Sequence, residues 1–244
     1  MFTVQLPSTT TGLVEFLPNF KVSLMNGEEW LSSVQPTPML DYLRGRRVSD
    51  RKLRLYAVAC CRRIWDFLTD ERSRTAVEVA EQYADGLVDR ENLVLARDKA
   101  REVKGILNGP TQTPFQRAAN AAFDTTRDTG SSASKNAPYE AARALNFDDH
   151  NRFDEGELRQ QAHLIRCIFG NPFRLVFLDS VWLTPNVVVL AQTIYDDRAF
   201  DRMPILGEVI EEAGCDNTDI LDHCRSQIEH VRGCWVVDAL LGKA

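Results

Sequence analysis

SDRKLRLYAVACCRRIWDFL, residues 49–68, decides the fold. Ser49 is a side chain that can cap a helix N-terminus, and Leu53, Ala57, Cys60 or Cys61, Ile64 and Leu68 then recur at three- and four-residue steps. That spacing predicts a helix from Asp50 to Leu68. From Leu55 to Cys61 no residue is charged, so its middle is apolar on every side and belongs inside a core, with Arg62 and Arg63 emerging near its end. This helix is expected to form the centre of an N-terminal helical lobe.

Working outward, helical punctuation continues almost throughout. Pro36 and Pro38 admit a helix that Gly45 stops, and Thr69 or Asp70 caps another carrying Ala76, Val77, Ala80 and Tyr83. Asp89 caps a helix ending near Leu107, and Thr113-Pro114 opens an alanine-rich one. Asp154 and Glu157 have capping-box spacing, Thr184-Pro185 repeats the cap-then-proline signal, Pro204 starts a further helix, and two last helices cover about Asn217 to Ser226 and Val231 to Leu241. Leu175 to Leu178 is the one stretch considered for a strand. Thr129 to Ala137, with Gly130, three serines and Asn136, is the best candidate for a linker. The expected fold is therefore mainly α: a multi-helix globular bundle of two helical lobes with little or no sheet. Its divisions are an N-terminal extension (1–24), an N-terminal lobe (25–128), a linker or variable helical segment (129–157) and a C-terminal lobe (158–244).

Length and charge bound the function. A chain of 244 residues, 44% of them hydrophobic, can bury a core without disulfide or metal staples. A net charge of -6 disfavours general nucleic-acid binding, which needs a surplus of Lys and Arg. The charge is segregated: Asp41 to Arg74 holds ten Lys/Arg against five Asp/Glu, and Asp196 to Asp222 holds two against nine. Pairing of the basic segment with the acidic C-terminal half is the preferred expectation, with docking to a protein partner the other use of such poles. No apolar run is long enough to span a membrane, and residues 1–24 lack the basic start and apolar core of a signal peptide. The expected compartment is cytoplasmic, where thiols stay reduced, so the six cysteines are not read as three disulfides.

The strings EWL at Glu29–Leu31, PTPML at Pro36–Leu40, residues 49–65 and TDERSRTAVEV at Thr69–Val79 resemble the N-terminal part of a large family of uncharacterised paralogous proteins from planctomycete bacteria. FGNPFR at Phe169–Arg174, WLT at Trp182–Thr184, LAQTIYDDRAFDRMPIL at Leu190–Leu206, AGCDN at Ala213–Asn217 and HVRGCWVVD at His230–Asp238 are similar to its C-terminal half. The resemblance covers about Glu28 to Lys243. It carries no activity, cofactor or catalytic residue. It does imply a start just before the Glu-Trp-Leu string, so Met25 is expected to be the authentic first residue and 1–24 a disordered or mis-assigned extension.

One cluster has the residue types for chemistry. Cys215, His223, Cys224, His230 and Cys234 fall within the last thirty residues, and thiolate and imidazole are the ligands zinc prefers. On a continuous helix His230, Cys234 and Asp238 would share one face, with Cys215 and either His223 or Cys224 completing a tetrahedral shell. His223 and Cys224, as helical neighbours, point about 100° apart and are poor joint ligands. No phosphate loop, nucleophile elbow or His-Glu-x-x-His string is present. The leading functional expectation is thus a non-enzymatic protein-interaction or regulatory module. The alternative is a zinc-binding protein, with hydrolysis as its chemistry, built on the C-terminal Cys/His cluster. Trp30, Trp65, Trp182 and Trp235 are expected as core anchors.

Overall fold

A computed structural model describes residues 25–46, 48–107, 109, 112–145 and 154–243. The expectations for residues 1–24 lie outside the described residues. The rest form twelve α-helices, with no strand among the described residues: α1 (Gly27–Ser32), α2 (Pro36–Arg44), α3 (Asp50–Arg62), α4 (Glu71–Ala84), α5 (Arg90–Ile106), α6 (Pro114–Thr125), α7 (Gly130–Leu145), α8 (Glu155–Phe169), α9 (Pro185–Asp197), α10 (Met203–Glu212), α11 (Thr218–Arg225) and α12 (Trp235–Leu240). The mainly helical fold read from the sequence is the fold observed. Leu175 to Leu178, considered for a strand, lies in neither a strand nor a helix.

The capping residues do what their chemistry dictates. Side chains of Ser49, Asp70, Asp89, Thr113, Asp154, Thr184 and Asn217 each accept a main-chain N–H of the first turn that follows. Asn26 and Glu29 close a reciprocal capping box ahead of α1. At α8 only half of the expected box forms, because the Glu157 carboxylate turns away to meet Arg63 at 2.9 Å.

Helix α3 is the hub of the first hydrophobic core. It packs on α4, α6, α7 and α8, and Leu53, Tyr56, Ala57, Cys60, Cys61 and Ile64 are buried there. It stops at Arg62, short of the predicted Leu68, which follows a 3-10 turn at Trp65–Phe67. Arg54 is also buried in α3. Its guanidinium donates to the carbonyls of Thr125, Arg127 and Asp128, so a cation satisfies acceptors that the end of α6 leaves without helical partners.

The expected linker is instead the first two turns of α7, with Gly130, Ala133, Ser134 and Ala137 buried. Its small residues are what bring the helix close to α3. A Cβ on Gly130 would lie 2.1 Å from the Asp50 carbonyl oxygen, and the Gly130 N–H donates to Asp50 Oδ1 at 2.6 Å. A composition that resembles a loop in sequence is here a close-packing device.

A second core gathers Val187, Ile194, Met203, Leu206, Ile210, Ile220, Cys224, Cys234 and Val237 from α9 to α12. Helix α8 serves both: Leu164, Ile165 and Ile168 face the first core and Cys167 the second. The cores are also joined by ions. Arg51 of α3 meets Asp238 of α12 at 2.7 and 3.1 Å, Asp85 at 3.1 Å and the Tyr195 hydroxyl at 2.7 Å. Arg63 pairs with Glu157 and Glu229. Most of the described basic residues from Arg44 to Arg74 are therefore ion-paired within the chain, and Arg51, Lys52 and Arg63 reach carboxylates of the C-terminal half, Asp238, Glu157 and Glu229. The acids between Asp196 and Asp222 supply none of these three, however. Two pair locally, Glu211 with Arg225 and Asp219 with Arg174, and from their own stretch Arg198 crosses over to the buried Glu81 of α4. Of the four tryptophans only Trp30 is fully buried. Trp65, Trp182 and Trp235 are half-buried against the cores.

Candidate metal centre

Where α8, α11 and α12 meet, four side chains converge. Cys167 comes from the last turns of α8, His223 from α11, His230 from the loop after it, and Cys234 from the residue that precedes α12. One ligating atom from each can be chosen so that all lie within 4.8 Å of one another. His223 Nε2 is 3.2 Å from Cys234 Sγ, and His230 Nδ1 is 3.7 Å from Cys167 Sγ and 4.0 Å from Cys234 Sγ. The two imidazoles stand nearly perpendicular, with ring centres 4.7 Å apart. Zinc bonds of about 2.3 Å to sulfur and about 2.0–2.1 Å to nitrogen, at tetrahedral angles, place sulfur and nitrogen about 3.6 Å apart. The observed separations bracket that edge.

Local structure explains how the four arrive. Gly233, at φ 92°, turns the chain immediately before Cys234 in a conformation that strains residues bearing a Cβ, and a Cβ there would lie 2.9 Å from Leu55 Cδ1. The expected helix from Val231 therefore does not form, and α12 begins only at Trp235. His230 and Cys234 consequently approach from a turn, closed by the Cys234 N–H bonding the Val231 carbonyl, rather than from one helical face. Asp238 leaves the group altogether, its carboxylate engaged by Arg51 and Lys52.

Around the four, polar contacts fix orientation. The Ser226 hydroxyl donates to the His223 carbonyl at 2.7 Å, which leaves its oxygen to accept from His230 Nε2–H at 3.4 Å. That assignment keeps the Nδ1 lone pair of His230 on the side of the two sulfurs, which a metal ligand requires. Burial opposes ionisation of Cys234. Nevertheless the hydrogen bond from Cys167 and the adjacent His223 and His230 hold its thiol well below the ordinary range, while burial and the contact with Cys234 push Cys167 up. A metal held here would bind both sulfurs as thiolates, so its binding would release the thiol protons. Cys167, His230 and Cys234 are buried, and His223 alone is half-exposed.

Three of the five residues singled out in the sequence, His223, His230 and Cys234, belong to this group. Cys215 and Cys224 do not: both are buried in the second core, and burial pushes both thiols up, which describes packed apolar sulfur. On α11 the choice between the neighbours His223 and Cys224 falls to the histidine, because Cys224 faces α10 next to Gly207. Cys167 was missed, lying far upstream on another helix. The acidic residues Asp196, Asp197, Asp201, Glu208 and Glu212 are exposed or half-exposed and form no buried carboxylate cluster with Glu211.

Beside the group lies a cavity of about 530 Å³ whose wall includes His223, Ser226, Trp235 and Lys52. Among the described residues no helix is long and apolar enough to cross a membrane. No family model, curated protein or solved structure matches this chain.

Proposed function

We propose that this is a zinc-binding protein in which Cys167, His223, His230 and Cys234 hold one structural ion. The observation that carries the reading is the convergence of two thiols and two imidazoles from four separate stretches of chain, their ligating atoms all within 4.8 Å of one another and three sulfur–nitrogen separations between 3.2 and 4.0 Å. Four protein ligands leave no coordination position for water or substrate. The centre therefore acts as a staple between α8 and the α11–α12 end of the second core, not as a hydrolytic site. Metal content answers the question directly. Protein purified without a metal affinity column should carry one equivalent of zinc by elemental mass spectrometry. Cys167→Ser and Cys234→Ser should lose it, and Cys224→Ser, a buried thiol outside the group, should keep it. Absence of metal in the wild type, with no uptake from added Zn²⁺, would sink the proposal.

A second reading, a non-enzymatic protein-interaction module, rests on a different observation. After α8 burial alternates along the chain, with Val176 and Leu178 packed inward and Leu175 and Phe177, 86% and 78% exposed, facing solvent. Val181 continues the strip at 71% exposure. Large apolar side chains arranged in this way mark contact surfaces, and the same strip on a second copy of this chain is an apolar partner able to cover it. Sedimentation at rising concentration should show self-association that Phe177→Asp abolishes. A wild type that stays monomeric throughout removes this reading's support.

A further inference from the structure

We infer that the cavity beside the metal group binds a small organic anion, with its acidic head on Arg166 and its apolar body against Phe169, Val176, Ile220 and Trp235. The volume of about 530 Å³ is that of small-molecule sites in general. The decisive feature is the charge on its wall. Arg174 is neutralised by Asp219 at 2.7 Å, and Lys52 by Asp238 at 3.6 Å while also donating to the Ile168 carbonyl. Arg166 has no such partner. Its Nη1 donates to the carbonyls of Trp30 and Ser33 at 3.1 and 2.9 Å, and no carboxylate pairs with it among the described residues. It is a partly desolvated guanidinium whose remaining N–H groups are available to a planar acceptor, the geometry that carboxylates and phosphates satisfy with two parallel hydrogen bonds. Asp222, exposed on the wall, works against a second negative charge in the ligand and favours one acidic head. The apolar side chains demand that the rest of the ligand be hydrocarbon or aromatic.

The inference does not depend on the metal, so its test is read separately from zinc content. The probe is 1-anilinonaphthalene-8-sulfonate, an aromatic monoanion that fluoresces on entering an apolar site. Wild-type protein should bind it saturably, one per chain. Arg166→Met should weaken binding at least tenfold, and Arg166→Lys should restore part of it. Because Arg166 also holds the end of α1, Ala239→Trp supplies an independent arm. Ala239 is exposed on the cavity wall and belongs to α12, not to the contacts that hold Arg166, so an indole there is placed to fill the space. That variant should lose the probe while retaining the wild-type melting temperature and metal content. Displacement by benzoate assigns a carboxylate head, displacement by phenyl phosphate a phosphate ester, and displacement by neither overturns the inference. So does unsaturable binding, or equal affinity in wild type and Ala239→Trp.

Discussion

Replacing Arg51 by Met should cost about 3 kcal/mol and loosen one hydrophobic core from the other. The guanidinium makes four hydrogen bonds, two to Asp238, one to Asp85 and one to Tyr195, and the two carboxylates are 1% and 2% exposed. Removing one member of a buried ionic cluster strands the others, at about 3–5 kcal/mol in general. Lys52 at 3.6 Å from Asp238 and Arg232 at 3.7 Å from Asp85 remain as partial replacements, which places this site near the lower end. At about 2–4 °C per kcal/mol for a chain of this size, the melting temperature should fall by roughly 6–12 °C. The assay is urea unfolding followed by tryptophan fluorescence and by far-ultraviolet circular dichroism. Trp30 and Trp65 report on the first core and Trp182 and Trp235 on the second. In the variant the two probes should cease to coincide, because the ionic link between the cores is cut. In an Asp238→Asn background the same substitution should cost at least 1 kcal/mol less, since one acid it would strand is already gone. A loss under 1 kcal/mol with no coupling between the two sites would refute the view that this cluster joins the cores.

Three further outcomes follow from the packing. Gly130→Ala should destabilise by about 2–3 kcal/mol or more, because its methyl must move from 2.1 Å to ordinary contact with the Asp50 carbonyl and so lift α7 off α3; thermal melting checks it, and a change under 0.5 kcal/mol would show that the helices yield freely. Asp70→Ala should lose the α4 cap, about 1 kcal/mol, whereas Asp70→Asn should keep it. The hydrogen bond from Arg72 holds the Asp70 carboxyl below its ordinary value, so its contribution is present above the usual carboxylate range and disappears as pH falls through the lowered value; Asp70→Asn should flatten that acid limb, and an unchanged pH profile of stability would contradict it. Zinc removal by a chelator should lower the melting temperature of wild type and Cys224→Ser but not of Cys167→Ser, and equal effects in all three would place the ion elsewhere.

Much of the fold was legible because helix ends are local chemistry. Six caps could be named from a polar residue ahead of an apolar period, the one before α4 as either Thr69 or Asp70, and each forms, with Asp70 the residue that caps α4. Where tertiary contact decides, sequence period fails. The first turns of α7 carry the residues of a loop, and only the proximity of α3 explains why they are helical. The centre was legible in three of its four residues, since His223, His230 and Cys234 crowd one end of the chain. Cys167 gave one weak signal, a cysteine close to a helix end marked by Gly170-Asn171-Pro172, but its partners depend on how α8 lies across the second core. Gly233 was the missed clue for the turn that frees His230 and Cys234 from a shared helical face.

Helix α8 gives its Leu164, Ile165 and Ile168 to one core and Cys167 to the other. A protein so built can be cut without being divided. Cleavage after Leu145 would leave an amino-terminal piece with an apolar trough where α8 had lain, and a carboxy-terminal piece with an unshielded apolar helix. Neither piece should persist alone in solution, yet the two, made together, should reassemble as complementing halves. Insertions and deletions are accordingly expected to be excluded within α8, where a shift of register would move one of its two faces off its core.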